Sequence, residues 1–215
     1  GKWPGGFIKK TAPTVVGPAD GEGGTASGIW TLDQAADYEK QGLWPKPLVP
    51  RELWTWGNGA DGANGQGNTT SYSSPVQVGA LTDWSKVSLS YKSTVAIKTD
   101  GTLWAWGDNG YGQLGDGSTT DRSSPVQVGA LTDWAQIAGG REFFTSIKTD
   151  GTLWAWGRNN FGQLGQGNTT SYSSPVQIGA LTDWSLVGAG NEHVLAVKTD
   201  GTLWTWGAND QGELG

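Results

Sequence analysis

Bulky apolar side chains recur along this chain with a period of two, and that short pattern returns every fifty residues. Leu53-Trp54-Thr55-Trp56-Gly57 is followed by Leu103-Trp104-Ala105-Trp106-Gly107, Leu153-Trp154-Ala155-Trp156-Gly157 and Leu203-Trp204-Thr205-Trp206-Gly207. Tryptophans two apart share one face of a strand, so the leucine and the small residue between them share the other. Between successive copies the alternation predicts further short strands; in residues 101–150 they fall at 102–106, 125–128, 135–138 and 144–148. Four short strands per fifty residues predict a blade of a β-propeller. A fixed period of this length signals one unit stacked on copies of itself, because a single unit cannot bury its own apolar faces.

Turn chemistry refines the blade. Asp100-Gly101, Asp150-Gly151 and Asp200-Gly201 precede the tryptophan strands and suit a two-residue hairpin with positive φ, which reads these aspartates as turn residues. Pro75, Pro125 and Pro175 each open a predicted strand, and the missing amide hydrogen places that strand at the outer edge of its blade. Ala138-Gly139-Gly140 and Gly188-Ala189-Gly190 suit the inner end, where blades crowd toward the axis. Burying one tryptophan removes roughly 150–250 Å² from water, worth up to about 4–6 kcal/mol before ordering entropy. The tryptophans are therefore read as core rather than as a sugar-stacking platform.

Residues 1–50 follow another pattern. The stretch 1–28 mixes Pro4, Pro13 and Pro18 with many glycines and reads as an extended arm, with Thr14-Val15-Val16 as a short strand. A helix is predicted over 32–41, with Thr31 as N-cap, Asp33 in the first turn, Gln34 completing a capping box, Gly42 as the stop and Pro45 beyond. So short a helix is marginal alone, and Leu32, Ala35, Ala36 and Tyr38 with Ile29, Trp30 and Trp44 need a surface to pack on. The domain organisation is thus an arm plus short helix at 1–50, read as a docking segment for neighbouring subunits, and three repeats with part of a fourth at 51–215.

Composition narrows the function. Of 215 residues, 35% are hydrophobic and 16% charged, and 36 are glycine, which fits a chain of tight turns with a sizeable core. No apolar run is long enough to span a bilayer. Lysine and arginine number 14 against 20 acidic residues, and the excess of acid lies wholly in 51–215. Such a surface repels phosphate backbones, which argues against a nucleic-acid partner. The absence of cysteine removes disulfides, thiolate nucleophiles and zinc–thiolate sites. With no methionine at the start and an ending inside a repeat, the sequence reads as a window onto a longer protein.

Candidate chemistry is sparse. His193 is the sole histidine, so no histidine cluster and no Ser-His-Asp set is recognisable by spacing. Ser93 and Phe143 occupy its equivalent positions, which reads it as an ordinary loop residue. The loop over 108–117 has the composition of a calcium loop without the alternating ligands or closing glutamate. No metal and no cofactor are expected. Asn68-Thr69-Thr70 and Asn168-Thr169-Thr170 are glycosylation sequons by pattern.

The repeats differ from one another at two places, residues 89–95 with 139–145 and 189–195, and residues 58–61 with 108–111 and 158–161. Scaffolds commonly vary where exposed loops meet partners, although neutral drift on a tolerant loop produces the same pattern. Tyr91, Arg141, Phe143, Asn191 and His193 are the first binding candidates, and Tyr72, Arg122 and Tyr172 the second.

Residues 134–148, Asp150-Gly151-Thr152-Leu153-Trp154-Ala155-Trp156-Gly157, Asn159, Phe161-Gly162-Gln163-Leu164-Gly165 and Pro175-Val176 resemble the repeat of the regulator of chromosome condensation family. The resemblance covers 51–215 and implies a seven-bladed propeller, for which about 350 residues are needed. The ring is then incomplete in this chain, and further sequence or further chains would close it. The first repeat departs from the pattern, with Gly62-Ala63-Asn64-Gly65 where later ones carry Gly-Gln/Glu-Leu-Gly, as expected of a terminal, modified blade. Residues 26–32 and Gly42-Leu43-Trp44-Pro45 resemble a short module of tailed-phage structural proteins.

Together these imply a non-enzymatic structural or receptor-binding component of a phage particle, virion-borne or extracellular, forming a homo-oligomer. Its propeller would contact protein or host-surface glycan. A secreted or surface bacterial propeller that binds a partner protein is the alternative. Nucleotide exchange on a small GTPase follows only from the family's namesake, and fold does not carry function.

Overall fold

The computed structural model describes residues 51–215; the predicted arm, the strand at 14–16 and the helix over 32–41 lie outside the described residues. Among the described residues, thirteen strands form four antiparallel sheets. The first pairs β1 (Trp54–Gly57) with β2 (Tyr72–Gln77). The second runs in order through β3 (Trp84–Leu89), β4 (Ser93–Lys98), β5 (Leu103–Gly107) and β6 (Arg122–Gln127). The third repeats it with β7 (Trp134–Gly139), β8 (Phe143–Lys148), β9 (Leu153–Gly157) and β10 (Tyr172–Gln177). The fourth holds β11 (Trp184–Ala189), β12 (His193–Lys198) and β13 (Leu203–Gly207). These are β-propeller blades in an open ring.

The fifty-residue sequence unit and the blade are out of phase. Strands predicted over 101–150 as one blade belong to two sheets: β5 and β6 finish one and β7 and β8 begin the next. The reason is the connections. A tight turn at Asp100-Gly101 keeps β4 and β5 in one sheet, whereas residues 128–133 carry the chain from the margin of one sheet to the inner strand of the next. β3, β7 and β11 lie side by side as these inner strands. They are stitched by the Gln136 amide donating to the Ser185 carbonyl (2.6 Å) and the Gly139 N–H donating to Ser88 Oγ (2.9 Å).

Two turn-level expectations need correcting. The Asp-Gly hairpin has a three-residue loop: the Gly101 N–H donates to the Lys98 carbonyl and the Lys98 N–H to the Thr102 carbonyl, both at 3.0 Å, and only Gly101 takes positive φ (+79°). This is a turn followed by a left-handed glycine bulge. Asp100 faces its own loop, accepting from the Thr102 hydroxyl (2.7 Å) and N–H (3.0 Å). The prolines do lie on marginal strands, but inside them: Pro125 is the fourth residue of β6. Between the pairs Ala105–Val126 and Gly107–Arg122, three residues ending in Pro125 stand opposite the single Trp106. The missing N–H falls within that irregularity.

Most tryptophans among the described residues are core, but Trp54, Trp56 and Trp204, on the first and last sheets, are 46%, 62% and 50% exposed. Trp84 meets Trp104 and Trp106 edge-on at 6.4 and 5.9 Å, and Trp134 does the same with Trp154 and Trp156 at 5.9 and 6.0 Å. A lysine closes each such cluster: the Lys98 ammonium lies 4.3 Å over Trp104 and 5.3 Å over Trp84, 3.4 Å from Asp83. Lys148 and Lys198 repeat the arrangement.

The first repeat keeps its loop by exchanging two positions. In later repeats Asn109 Nδ2 donates to the Thr120 carbonyl (3.0 Å), Oδ1 accepts from the Leu114 N–H (3.0 Å), and Leu114 fills the core. Here Gly59 stands at the asparagine position and Asn64 at the leucine position. Asn64 Nδ2 donates to the Gly57 and Thr70 carbonyls at 3.2 and 3.1 Å. The departure from the repeat is thus an internally compensated exchange.

Candidate functional site

Alternation along a strand sends side chains to opposite faces, but at a hairpin tip the chain turns outward into solvent. The tips joining β3 to β4, β7 to β8 and β11 to β12 carry Tyr91-Lys92, Arg141-Glu142 and Asn191-Glu192. Each is closed by an inner N–H, from Ser90, Gly140 or Gly190, donating to the carbonyl of Ser93, Phe143 or His193 at 2.8, 3.0 or 2.9 Å. The loops leaving β5, β9 and β13 lie against these tips. The Asp108 N–H donates to the Lys92 carbonyl (3.1 Å), Arg158 to Glu142 (2.8 Å) and Ala208 to Glu192 (2.9 Å). The two stretches where the repeats diverge, joined by bonds between residues sixteen positions apart, are therefore one continuous surface at one end of the blades.

Tyr91, Arg141 and Asn191 come together at its centre. The Arg141 N–H donates to the Asn191 carbonyl (2.8 Å), and its guanidinium lies 5.6 Å over the Tyr91 ring. With Leu89, Gly139 and Gly140 they line a recess of about 420 Å³. Gly140 admits no larger residue, since a Cβ there would come within 2.0 Å of the Phe143 ring and 2.6 Å of the Gly190 carbonyl.

Phe143 is a correction. Its ring is fully buried beneath Gly140 and packs with Ala155, Leu164 and Val194, because as the first residue of β8 it points between sheets while Arg141 points out. It supports the face and does not line it. His193, its equivalent, is half-buried under Gly190. It is the opening residue of β12, not the loop residue expected.

Tyr72, Arg122 and Tyr172 open β2, β6 and β10 opposite Gly57, Gly107 and Gly157, so they stand at the outer rim of the same end. Their side chains are already engaged. Arg122 clamps Asp116 through Nε (2.9 Å) and a terminal nitrogen (2.8 Å). The Asn68 amide donates to the Tyr72 hydroxyl at 3.1 Å, and Asn168 to Tyr172 at 3.3 Å. An ion pair in the middle repeat replaces a polar pair in its neighbours.

Three residues not singled out from sequence join the face. Tyr111 and Phe161 are each 41% exposed, and Arg158 pairs with Glu142 (2.8 Å) with its guanidinium 5.1 Å over Tyr111. All lie in the second divergent stretch, which is the signal that marks them. Lys92 pairs with Asp61 at 2.9 Å, and that hydrogen bond and charge raise its pKa above the ordinary lysine value. Arg141 has no carboxylate partner among the described residues.

The carboxylates around the calcium-like loop are held by protein donors. Burial, then the Asp121 charge, pushes Asp108 above the usual aspartate range although the Gln113 amide donates to it. Burial alone would raise Asp116 too, but hydrogen bonds from Ser118 and Arg122 hold it below that range. No three His, Asp or Glu side chains among the described residues converge to hold a metal ion.

Two models of the regulator of chromosome condensation (RCC1) repeat match the chain, one over residues 52–97, 100–147 and 150–197, the other over 84–113, 134–163 and 184–213. Among solved structures, human WBSCR16 is similar at 27% identity and a TM-score of 0.69 over 76% of this chain and 45% of that one. Prp20p from Saccharomyces cerevisiae, described with its binding properties to Gsp1p and histones, is similar at 20% identity and a TM-score of 0.65 over 77% of this chain and 43% of that one. The yeast protein bound to Kap60 gives 18% identity and a TM-score of 0.67 over 77% of this chain and 42% of that one. This chain spans less than half the length of each. A search of curated proteins returned no match. With well over half of its length matched repeat by repeat, and with the blades those repeats build, the chain belongs to the regulator of chromosome condensation (RCC1) repeat family.

Proposed function

We propose that the chain is a non-enzymatic binding propeller whose protein partner docks on the end face carrying Tyr91, Tyr111, Phe161 and Arg141. The observation that carries this reading is the merging of both divergent stretches into one surface over an otherwise repetitive scaffold. Exposed aromatics and arginines are the side chains that dominate protein interfaces. Tyr91, at 66% exposure, has no packing need to explain it. The solved relatives described with protein partners support the same reading, and the acidic charge speaks against nucleic acid.

Within that reading we place the chain in a tailed-phage particle or a similar extracellular assembly, as a structural or receptor-binding homo-oligomer joined to neighbouring subunits through residues 1–50. This step rests on the resemblance of residues 26–32 and 42–45 to a phage structural module. Mass spectrometry of purified particles from the source tests it. Recovery of peptides from this chain in stoichiometric amounts supports the placement, and their absence from intact particles overturns it. Binding itself is tested by the pair Tyr111→Ala and Phe161→Ala, which should weaken partner capture tenfold or more without lowering the melting temperature; unaltered capture moves the docking surface elsewhere.

A further inference from the structure

The cations of the end face are not alike. Lys92 is paired with Asp61 and Arg158 with Glu142. Arg141, at the tip nearest the recess, makes no side-chain hydrogen bond and no ion pair among the described residues. Its backbone is fixed by the bond to the Asn191 carbonyl, and its neighbour Glu142 is held left-handed (φ +63°) with its N–H on Ser90 Oγ at 3.0 Å. The guanidinium is thus placed over Tyr91 by a rigid tip. One side of its plane is turned to the Tyr91 ring, and its in-plane N–H fork has no partner among the described residues.

The walls match that fork to an anion. Leu89, Gly139, Gly140, Ala189 and Gly190 are apolar, Ser90 and Asn191 are neutral, and no carboxylate lines the recess. A guanidinium fork fits a planar carboxylate in two parallel hydrogen bonds, which a lysine ammonium cannot reproduce. Arg141 already occupies one side of the Tyr91 ring, and Lys92 stands 5.7 Å over that ring as well. Tyr91 still keeps 66% exposure, so a sugar stacking on its ring is an outcome the test below separates from the carboxylate seat.

We propose that this recess is a carboxylate seat, in which Arg141 receives an aspartate or glutamate side chain from a protruding loop of the protein partner, with Tyr91 holding the guanidinium in place. It deepens the reading of this face as a protein-docking surface and rests on that reading. An acidic anchor docking on an acidic propeller makes Arg141 the point that sets register, since Asp61 and Glu142 already hold Lys92 and Arg158 and themselves repel a misplaced carboxylate.

The test uses the full chain and three small probes: acetyl-Gly-Glu-Gly-amide, its glutamine counterpart, and glucuronate. Titration is followed by the nitrogen–proton resonance of Arg141 Nε and by the Tyr91 ring signals. The glutamate peptide should shift both with a Kd of roughly tens of millimolar, as expected for a single ion pair, and the glutamine peptide should not. Arg141→Lys keeps the charge and should lose most of the response, while Tyr91→Phe keeps the ring and should retain it. Equal response to the glutamate and glutamine peptides, an Arg141→Lys variant as responsive as the parent, or glucuronate binding more tightly than the glutamate peptide each overturns the proposal. Should Tyr111→Ala and Phe161→Ala abolish partner capture while Arg141→Lys leaves it intact, the docking face stands and the carboxylate seat falls.

Discussion

The indole N–H of Trp156 in β9 donates to the carbonyl of Gln113, 2.9 Å away in the loop of the preceding sheet. Trp106 bonds the Ala63 carbonyl (3.1 Å) and Trp206 the Gln163 carbonyl (3.0 Å) in the same manner. Trp106, Trp156 and Trp206 therefore each do two things at once: they fill the space between sheets and tie them by a hydrogen bond, which Trp56, 62% exposed on the first sheet, does not among the described residues. A repeat protein is stabilised largely by such neighbour-to-neighbour terms.

Gly115 lies against the same Trp156 indole; a Cβ there would come within 2.8 Å of Nε1, and the backbone is left-handed at φ +75°. Gly115→Ala is expected to cost about 2–3 kcal/mol, since strain at positive φ adds to the clash. Trp156→Phe, which leaves the Gln113 carbonyl without its donor, should cost about 1–3 kcal/mol from that orphaned group, with the lost ring volume added to it. Urea unfolding followed by tryptophan fluorescence checks both, and a neutral Gly115→Ala would show that the sheets separate more freely than the packing implies.

Lys148 sits with 6% of its side chain exposed, 4.2 Å over Trp154, 4.8 Å over Trp134 and 3.4 Å from Asp133. A cation held between two indoles is worth about 1–2 kcal/mol. Lys148→Met keeps the length and loses the charge, so destabilisation of about that size is expected. Because the group is shielded, the loss should be nearly the same at low and high salt. A loss that vanishes in high salt would assign the effect to the Asp133 ion pair alone.

Much of this was readable in residue order, and the failures have physical causes. The Trp-x-Trp alternation announced the strands, and the resemblance of residues 134–176 announced the blade. The phase of the blade was hidden, because a local pattern marks strands but not which pairs share a sheet; the long connection at 128–133, not the tight Asp-Gly turn, is where one sheet gives way to the next. Phe143 looked like a loop residue because it lies two positions from the tip at Arg141; the chain reverses between them, with Glu142 left-handed at φ +63°, and that turn separates an inward ring from an outward guanidinium. The pairing of Arg141 with Tyr91 joins equivalent positions one fifty-residue period apart on neighbouring sheets; the period brings the two tips side by side but does not show that the guanidinium lies over the ring. Asn64 looked like a lost leucine, and its compensation by Gly59 shows only when the Thr70 carbonyl is placed between them.

Asp116 and Asp108 should respond to pH with opposite signs. Asp116 and the turn residues Asp100, Asp150 and Asp200 have folded pKa values below the ordinary one, for Asp100 and Asp150 chiefly through the Thr102 and Thr152 hydroxyls and for Asp200 through the Thr202 N–H. Such groups add stability above the unfolded value of about 4, and that stability is lost as pH falls through their folded values. Asp108 is raised by burial and by the Asp121 charge, so its ionised form disfavours the fold at neutral pH and the penalty disappears below about pH 4. Asp116→Asn should therefore destabilise at pH 7, and Asp108→Asn should stabilise at pH 7 and become neutral near pH 3. Denaturation midpoints across that range check the signs, and a destabilising Asp108→Asn at pH 7 would mean that its bond from Gln113 outweighs the burial.

The exchange at Gly59 and Asn64 makes the sharpest demand on the packing. Asn64→Leu alone would leave the Gly57 and Thr70 carbonyls without the donor that now reaches them at 3.2 and 3.1 Å. Gly59→Asn alone would drive a Cβ to 2.0 Å from the Thr70 carbonyl and 2.9 Å from the Asn64 amide. Both singles should destabilise. Together they rebuild the pairing of Asn109 with Leu114, in which the asparagine serves the loop carbonyls and the leucine fills the core. The double variant should then be more stable than the sum of the singles by about 1–3 kcal/mol, the range for residues that share one network. A double-mutant cycle in urea measures this directly. Simple additivity would mean that the first loop holds its shape through Asp61, left-handed at φ +58°, rather than through the asparagine that replaced the leucine.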